Sequence, residues 1–177
     1  MKISSNTQDI INSLNIFNKT LNVKLDKSIE ELGRDVQSVA KSSVLSFDKD
    51  PITANNIINS IMLYVELGGK KVSIIAEDIN SIFYEYGTGI IGRRNSHPEY
   101  AEANWIYNID TAYKRVSTTT GETGWFHKFE ETDHAIFMSG QPASAFMFKA
   151  FNYALQYGQI ALSKNIDKAL VETFKNK

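Results

Sequence analysis

The chain has 177 residues, of which 42% are hydrophobic and 22% are charged, values typical of a globular domain. Nineteen basic and twenty acidic residues give a net charge of −1, which argues against a basic nucleic-acid-binding protein and against an acidic tail. The absence of cysteine excludes disulfide scaffolds, thiolate metal sites and cysteine nucleophiles. No apolar run is long enough to cross a membrane, and the first residues lack the pattern of a secretory signal. We therefore expect a soluble protein, made inside the cell, with no membrane partner.

Residues 1–50 are predicted to be a helical N-terminal segment. Apolar residues recur at helical spacing from Ile10 to Val39, a pattern typical of a helix that packs along another long surface. Gly33 lies within this pattern at a cost of about 1 kcal/mol relative to alanine, so one helix or two pieces both fit. Turn residues at 46–51 are expected to end the helix.

Residues 52–140 are predicted to be mainly β. Residues 57–65 fit either a strand or a short helix, whereas residues 72–76 alternate as a half-buried strand does. Residues 90–99 are polar and basic enough to indicate an exposed loop. Further strands are expected where aromatic and branched residues cluster, at residues 105–109, 125–129 and 135–138.

Residues 141–177 are predicted to form a C-terminal helix that begins at Gln141-Pro142, because proline at the first helical position gives up an amide that has no partner there. The order helix, sheet, helix predicts an α+β fold with a long N-terminal helix, a central antiparallel β-sheet and a C-terminal helix packed on the sheet. We expect residues 1–177 to form a single domain.

The three histidines of the chain are the obvious candidates for metal ligands or catalytic bases. His127 and His134, together with Asp133, could form the site of a metal-dependent hydrolase, which is the alternative function. They flank a turn between predicted strands instead of lying one turn apart on a helix, so surface histidines are the favoured interpretation. The sequence contains no Gly-x-Ser-x-Gly nucleophile motif and no phosphate-binding loop. It therefore predicts no enzyme, no catalytic residue, no metal site and no cofactor.

Aromatic residues are dense between residues 83 and 151. Neighbours such as Trp125 and Phe126 point to opposite faces of a strand, so these side chains cannot all belong to one core. Part of the aromatic surface is expected to contact a protein partner, where such residues are enriched. Stacking on nucleic acid would need interleaved basic residues, which are few here, so no sequence-specific nucleic acid binding is expected.

Four short motifs occur in sequence in the central part of the chain. They are FYEYGTG at residues 83–89, WIY at 105–107, GWF at 124–126 and GQPA at 140–143. In this order the motifs resemble those of the gene-product-ten-like head–tail joining proteins of long-tailed bacteriophages, a family of neck, tail-completion and minor tail proteins. Phe146 and Ala150 match the helix that follows in that family, and the resemblance covers roughly residues 55–155.

The resemblance implies a structural component of the virion without catalytic residues. Proteins of this family lie at the head–tail junction, in the tail or neck region, after assembly in the host cytoplasm. The resemblance further implies a homo-oligomeric ring between head-closure or connector proteins and tail-tube or tail-terminator proteins. A host-directed regulatory or binding module is a third possible function.

The motif residues are expected to have structural roles. Gly87 and Gly89 should hold a tight turn around Thr88 that other residues tolerate poorly. Glu85 is expected to be partly buried and paired with backbone amides, the alternative being a surface carboxylate at a strand edge. Gly140 and the two residues after it should fix the junction of the sheet and the C-terminal helix.

The loop at residues 90–99 is the expected contact with a neighbouring ring, because it contains Arg93 and Arg94 among exposed residue types. The complete set of expected structural or interface residues is Glu85, Tyr86, Gly87, Thr88, Gly89, Arg93, Arg94, Trp105, Trp125, Gly140, Gln141 and Pro142.

Overall fold

A computed structural model describes residues 3–47, 51–66, 70–105, 115–116, 123–128 and 135–174. The helices are α1 (Ile3–Phe47), α2 (Pro51–Ser60), α3 (Ser81–Tyr86), α4 (Gly89–Arg94) and α5 (Phe146–Phe174). The strands are β1 (Ile61–Val65), β2 (Val72–Ala76), β3 (Arg115–Val116), β4 (Thr123–Lys128), β5 (Ala135–Met138) and β6 (Gly140–Gln141). The fold is α+β, as the sequence predicts.

In the described part of the chain, strands β1 to β5 form two sheets. One is the pair β1–β2, and the other is antiparallel with the order β3–β4–β5, in which Trp125 lies opposite Met138. Residues 57–65, which fitted a helix or a strand, contain the end of α2 and the whole of β1. Trp105 lies outside any strand, and the rest of the strand predicted at residues 105–109 falls outside the described residues.

The chain divides into two compact units, a division that the sequence analysis did not predict. Unit 1 comprises Met1–Val39, Ile61–Ile75 and Ala150–Lys177, and unit 2 comprises Ala40–Ser60 and Ala76–Lys149. No helix of the described residues is long and apolar enough to cross a membrane.

In unit 1 the long helices α1 and α5 form an antiparallel pair. Their contacts show this orientation, since the residue number in α5 falls from one contact to the next as the residue number in α1 rises. The contacting pairs are Phe17 with Phe174 (ring centroids 5.9 Å apart), the ion pair of Lys24 with Glu172 (2.8 Å), and Leu32 with Gly158. The prediction placed the C-terminal helix on a sheet, whereas these contacts place this part of it along α1.

α1 continues through Gly33 without interruption. At this glycine, side chains of β1 and β2 pack closely against the helix. A Cβ atom at Gly33 would lie 2.5 Å from Cγ1 of Val72 and 3.1 Å from Cδ1 of Leu63. The side-chain amide of Gln37 also donates to the carbonyl of Ile61 at 2.8 Å, which fixes the start of β1 against the helix. The close approach of the strands accounts for a glycine that costs about 1 kcal/mol of helix propensity.

Unit 2 has a core in which α2, α3 and the start of α5 contribute fully or nearly fully buried side chains. Ile57 and Phe146 have no exposed surface, and Tyr84 is 6% exposed. Tyr84 packs edge-on against Phe47, with ring centroids 5.8 Å apart. This packing fixes α3, which contains the first motif.

Residues 81–86 and 89–94 are helical, contrary to the prediction of a mainly β region followed by an exposed loop. The carboxylate of Asp78 accepts from the amide of Asn80 just before α3, and Gly87 ends α3 with a φ of 78°. Short helices of one or two turns contain too few residues to show a helical period in the sequence, which is why the pattern was misread.

Candidate functional site

Three of the four motif segments meet in unit 2. Thr88 pairs with Gln141 and Gly89 pairs with Gly140 in antiparallel bridges, which bring the first and last motifs side by side. The indole Nε1 of Trp105 donates to the carbonyl of Gly87 at 3.2 Å. We call residues 83–97, Trp105 and residues 139–148 the motif junction.

Two glycines of the motif junction allow the segments to approach. Gly87 has a φ of 78°, and a Cβ atom there would lie 2.7 Å from the amide nitrogen of Ala143. Gly140 has a φ of 97°, and its Cβ atom would lie 2.0 Å from the carbonyl oxygen of Thr88. Gly89 also has a positive φ, 62°. The expectation of a turn that requires glycine is therefore confirmed at Gly87, where both conformation and space demand it.

Backbone hydrogen bonds continue the contact up to the start of α5. The amides of Ser144 and Ala145 donate to the carbonyls of Tyr84 and Glu85 at 2.8 and 3.1 Å. The side-chain amide of Gln141 donates to the carbonyl of Phe83 at 2.9 Å. Residues 141–145 thus lie along α3 before the helix begins, and α5 starts at Phe146 instead of at Gln141-Pro142 as predicted. The strongest local signal, proline, was outweighed by this tertiary contact.

Glu85 caps the N-terminus of α5 although it belongs to another helix. Its Oε2 accepts from the amide of Met147 at 2.8 Å, and its Oε1 accepts from the amide of Phe148 at 3.0 Å. These amides belong to the first turn of α5 and have no partner within the helix. The carboxylate also lies at the positive end of the helix dipole. The predicted pairing of Glu85 with backbone amides is confirmed.

The ring of His97 is a further hydrogen-bond partner of this carboxylate. The sequence analysis missed His97, because it assigned residues 90–99 to an exposed loop. The ring is 2% exposed, and its Nε2 lies 2.9 Å from Oε1 of Glu85. The amide of Glu99 donates to Nδ1 at 2.9 Å, so Nδ1 is an acceptor without a proton. Nε2 therefore carries the proton and donates a hydrogen bond to Oε1 of Glu85. Both ring nitrogens are engaged, which leaves neither available as a catalytic base.

Nothing in the spacing of the sequence indicated this pair. Glu85 and His97 are twelve residues apart on different elements, and the groups that Glu85 caps are backbone amides, which leave no trace in a sequence. Only when the start of α5 at Phe146 is known does the residue before it, Ala145, stand out for having no capping side chain. That absence implies that the first amides of α5 need an acceptor from elsewhere in the chain.

Aromatic rings surround the Glu85–His97 pair. The ring of Tyr86 lies 4.6 Å from His97 and stacks on Trp105 at 5.2 Å, and Phe148 meets His97 edge-on at 5.2 Å. Burial raises the pKa of Tyr86 above its ordinary value of 10.0, and the negative charges of Glu85 and Glu99 add to the rise.

This raised pKa predicts a loss of stability at alkaline pH. Because the folded state favours the neutral phenol of Tyr86, its contribution is complete below about pH 10 and is lost as the pH rises through the raised pKa. We expect the free energy of unfolding, measured with urea from about pH 8 to pH 11, to decrease less steeply in Tyr86→Phe than in wild type. Tyr100→Phe, at a ring 42% exposed, is the matched control and should follow wild type. Equal slopes for all three proteins would contradict the prediction.

Arg93 and Arg94 are exposed, as predicted, but they lie in the last turn of α4 and not in a loop. Trp125 lies on β4, and its side chain is outside the described part of the structure. The proposed hydrolase site also cannot be placed: the side chain of His127 and the whole of Asp133 and His134 are outside the described residues. Among the side chains that are described, no group of three or more His, Asp or Glu residues could hold a metal ion.

The chain was compared with protein-family models, curated proteins and solved structures, and none of the three comparisons found a match. The fold and the motif junction define an α+β protein in which the residues of its motifs hold backbone segments together.

Proposed function

We propose that this chain is a structural component of a phage virion at the head–tail junction. In this role it forms a ring between the head-closure proteins and the tail-tube proteins and catalyses no reaction. The proposal begins from the resemblance of its four motifs to head–tail joining proteins.

One observation supports the proposal most strongly: the described motif residues make hydrogen bonds and close backbone contacts that hold the fold together. Glu85 caps a helix and binds His97, so that both carboxylate oxygens of Glu85 and Nε2 of His97 are engaged in structural hydrogen bonds. A catalytic role would need these same groups. Gly87 and Gly140 are required by close backbone contacts. Motif residues with such roles suit a protein whose shape and surfaces, and not a reactive group, perform its function.

Electron microscopy of lysates tests the proposal in a phage that encodes this chain. Deletion of the gene is expected to leave filled heads and finished tails unjoined, and wild-type protein supplied in trans should restore joined particles. Joined particles without the protein would overturn the proposed role, and metal analysis of the purified protein would then address the hydrolase alternative with His127, His134 and Asp133.

The contact between neighbouring rings is expected to involve α4. Reversal of both exposed charges in Arg93→Glu/Arg94→Glu should lower the yield of joined particles by roughly tenfold, because charges at an interface rim guide association. The control is Lys164→Glu/Lys168→Glu, which makes the same charge change at exposed positions of α5. The yield is counted by microscopy after complementation of the deletion phage. Equal yields for the two double variants would dismiss α4 as the contact.

A further inference from the structure

The outer edge of β2 is an open sheet edge. One side of β2 pairs with β1, and within the part of the chain that the structure describes no strand pairs with the other side. The amide of Glu66 donates to the carbonyl of Lys71 at 3.0 Å, and the amide of Glu77 donates to the carbonyl of Ser60 at 3.2 Å. Because the two strands have equal numbers of residues between these bonds, the pairing contains no bulge, and alternate residues of β2 direct their backbone groups away from β1.

The residues with these outward backbone groups are Val72, Ile74 and Ala76. No hydrogen bond from the described residues reaches the outward groups. The outer edge of β1 differs, since the side-chain amide of Gln37 donates to the carbonyl of Ile61 there. Exposed edges are usually protected by a charge, a proline or a bulge within the strand, and β2 contains none of these. Its edge therefore offers a row of donors and acceptors that an added strand would match.

The charges at the two ends of β2 identify the strand that fits this edge. Lys70 and Lys71 precede β2, Glu77 and Asp78 follow it, and no charged residue lies between. When two copies of β2 run antiparallel with Ile74 opposite Ile74, the two lysines of each copy face the two acidic residues of the other. Opposite charges across a strand pair are stabilising and like charges are destabilising. A parallel alignment in register would place lysine against lysine, so the charge pattern favours the antiparallel one.

From the open edge and its self-complementary charges we infer that two copies of the chain pair through their β2 strands across a two-fold axis. In this alignment Ile74 pairs with Ile74, and Val72 pairs with Ala76 of the other copy, which gives about six hydrogen bonds between the copies. The two β1–β2 pairs then form one four-stranded sheet. A two-fold contact uses the same surface on both copies and is complete in a dimer. This contact does not depend on the proposed function, because it rests on the residues of β2 and its ends alone.

Side chains on the outward face of β2 also meet across the axis. Lys71, Ser73, Ile75 and Glu77 share one face, because side chains alternate along a strand. Ile75 is 47% exposed and would lie opposite Ser73 of the other copy, where part of its apolar surface is covered. Lys71 forms an exposed ion pair with Glu66 at 2.7 Å, so in the dimer it lies between that carboxylate and Glu77 of the other copy.

Sedimentation velocity of the purified full chain with reversed charges tests the contact. Wild type is expected to form dimers of about twice the monomer mass of 19.9 kDa at high micromolar concentration. Lys71→Glu and Glu77→Lys each place like charges opposite one another twice, and each should weaken dimerisation roughly tenfold at low salt. An equimolar mixture of the two variants restores opposite charges, as does the double variant Lys71→Glu/Glu77→Lys, so both should dimerise as wild type does. Lys164→Glu, at an exposed position of α5, is the matched control and should leave dimerisation unchanged.

Hydrogen exchange measured by NMR locates the contact on β2. The outward amides of Val72 and Ile74 should become protected as the protein concentration rises, whereas those of Ser73 and Ile75 face β1 and should be protected throughout. Ile74→Pro removes an outward amide that the pairing with β1 does not use, and it should weaken dimerisation by roughly a hundredfold. Circular dichroism checks that each variant is folded.

Three results would overturn the inference. A monomeric wild type would assign the open edge to a strand of a different protein. Single reversals that dimerise as wild type does, or a mixture that stays monomeric, would show that the charges at the ends of β2 do not face each other. A dimer in which the amides of Val72 and Ile74 stay unprotected would place the contact elsewhere on the chain.

Discussion

Gly140→Val is expected to abolish the folded state of unit 2 or to destabilise it by more than about 4 kcal/mol. Gly140 has a φ of 97°, which a β-branched residue does not adopt without strain, and its Cβ atom would lie 2.0 Å from the carbonyl oxygen of Thr88. The obstacle is backbone, which belongs to the bridge between Gly89 and Gly140 and cannot rotate aside as a side chain can. Relief of the clash would break that bridge and displace the segment that leads into α5.

Thermal unfolding measures this effect against a close neighbour. A loss of about 4 kcal/mol corresponds to a melting temperature lower by roughly 10 °C for a chain of this size. Pro142→Ala should lower the melting temperature far less, since alanine can adopt the same conformation and only the rigidity of the ring is lost. Gly140→Ala should fall between the two, because it has the same strained φ with a smaller side chain. Equal shifts for Gly140→Val and Pro142→Ala would contradict this account.

The parts of the fold that could be predicted from the sequence are the long or strictly alternating ones. α1 has an apolar pattern repeated over many turns, and the alternation at residues 72–76 matches β2. In these segments local pattern and tertiary packing favour the same structure. The predicted strand at residues 135–138 coincides with β5 for the same reason.

The predictions that failed concern places where distant backbone decides the structure. Pro142 is a strong helix-start signal, yet residues 141–145 pair with residues 83–89 and delay α5 to Phe146. Ala145 adopts a φ of 51°, a conformation that its side chain disfavours and that its hydrogen bond to the carbonyl of Glu85 maintains. Neither the pairing nor this conformation has a local sequence signal.

The motif junction was therefore only half predictable. Gly87 and Glu85 could be assigned structural roles, because glycine and a carboxylate within one short motif imply a special turn and a paired charge. No structural role could be assigned to His97 from the sequence, because the neighbouring residues in the sequence are polar and turn-forming. Its burial comes from tertiary contacts with the rings of Tyr86 and Phe148, which are distant from it in the sequence.

Glu85→Ala is expected to destabilise the protein by about 3–5 kcal/mol, since leaving a buried hydrogen-bonding group without its partner costs about 1–3 kcal/mol and this carboxylate serves several of them. Glu85 is 8% exposed and accepts from two amides of α5 and from Nε2 of His97. Its removal leaves one buried donor and two part-buried donors without this acceptor, and each unpaired donor costs more than its hydrogen bond contributed. Glu85→Gln should lose less, since its carbonyl oxygen can still accept, although its amide group then faces another donor.

Urea unfolding measures the loss, and hydrogen exchange locates it. The amides of Met147 and Phe148 should exchange faster in both variants, because they lose the acceptor that completes the first turn of α5. Glu99→Gln is the matched control: its side chain is exposed, and its backbone amide keeps its hydrogen bond to His97. Unchanged exchange at the two amides together with full stability would show that Glu85 is not the cap.

A double-mutant cycle then decides whether Glu85 and His97 act together. Removing both partners leaves fewer unpaired groups than the two single changes imply, so the loss in Glu85→Ala/His97→Phe should be smaller than the sum of the single losses. We expect a coupling of about 1–3 kcal/mol, since the pair is buried and hydrogen-bonded. Additive losses would mean that Glu85 stabilises α5 alone and that His97 is buried for its contacts with Tyr86 and Phe148. Coupled losses would establish the pair as one structural unit that joins α3, the segment after α4 and the start of α5.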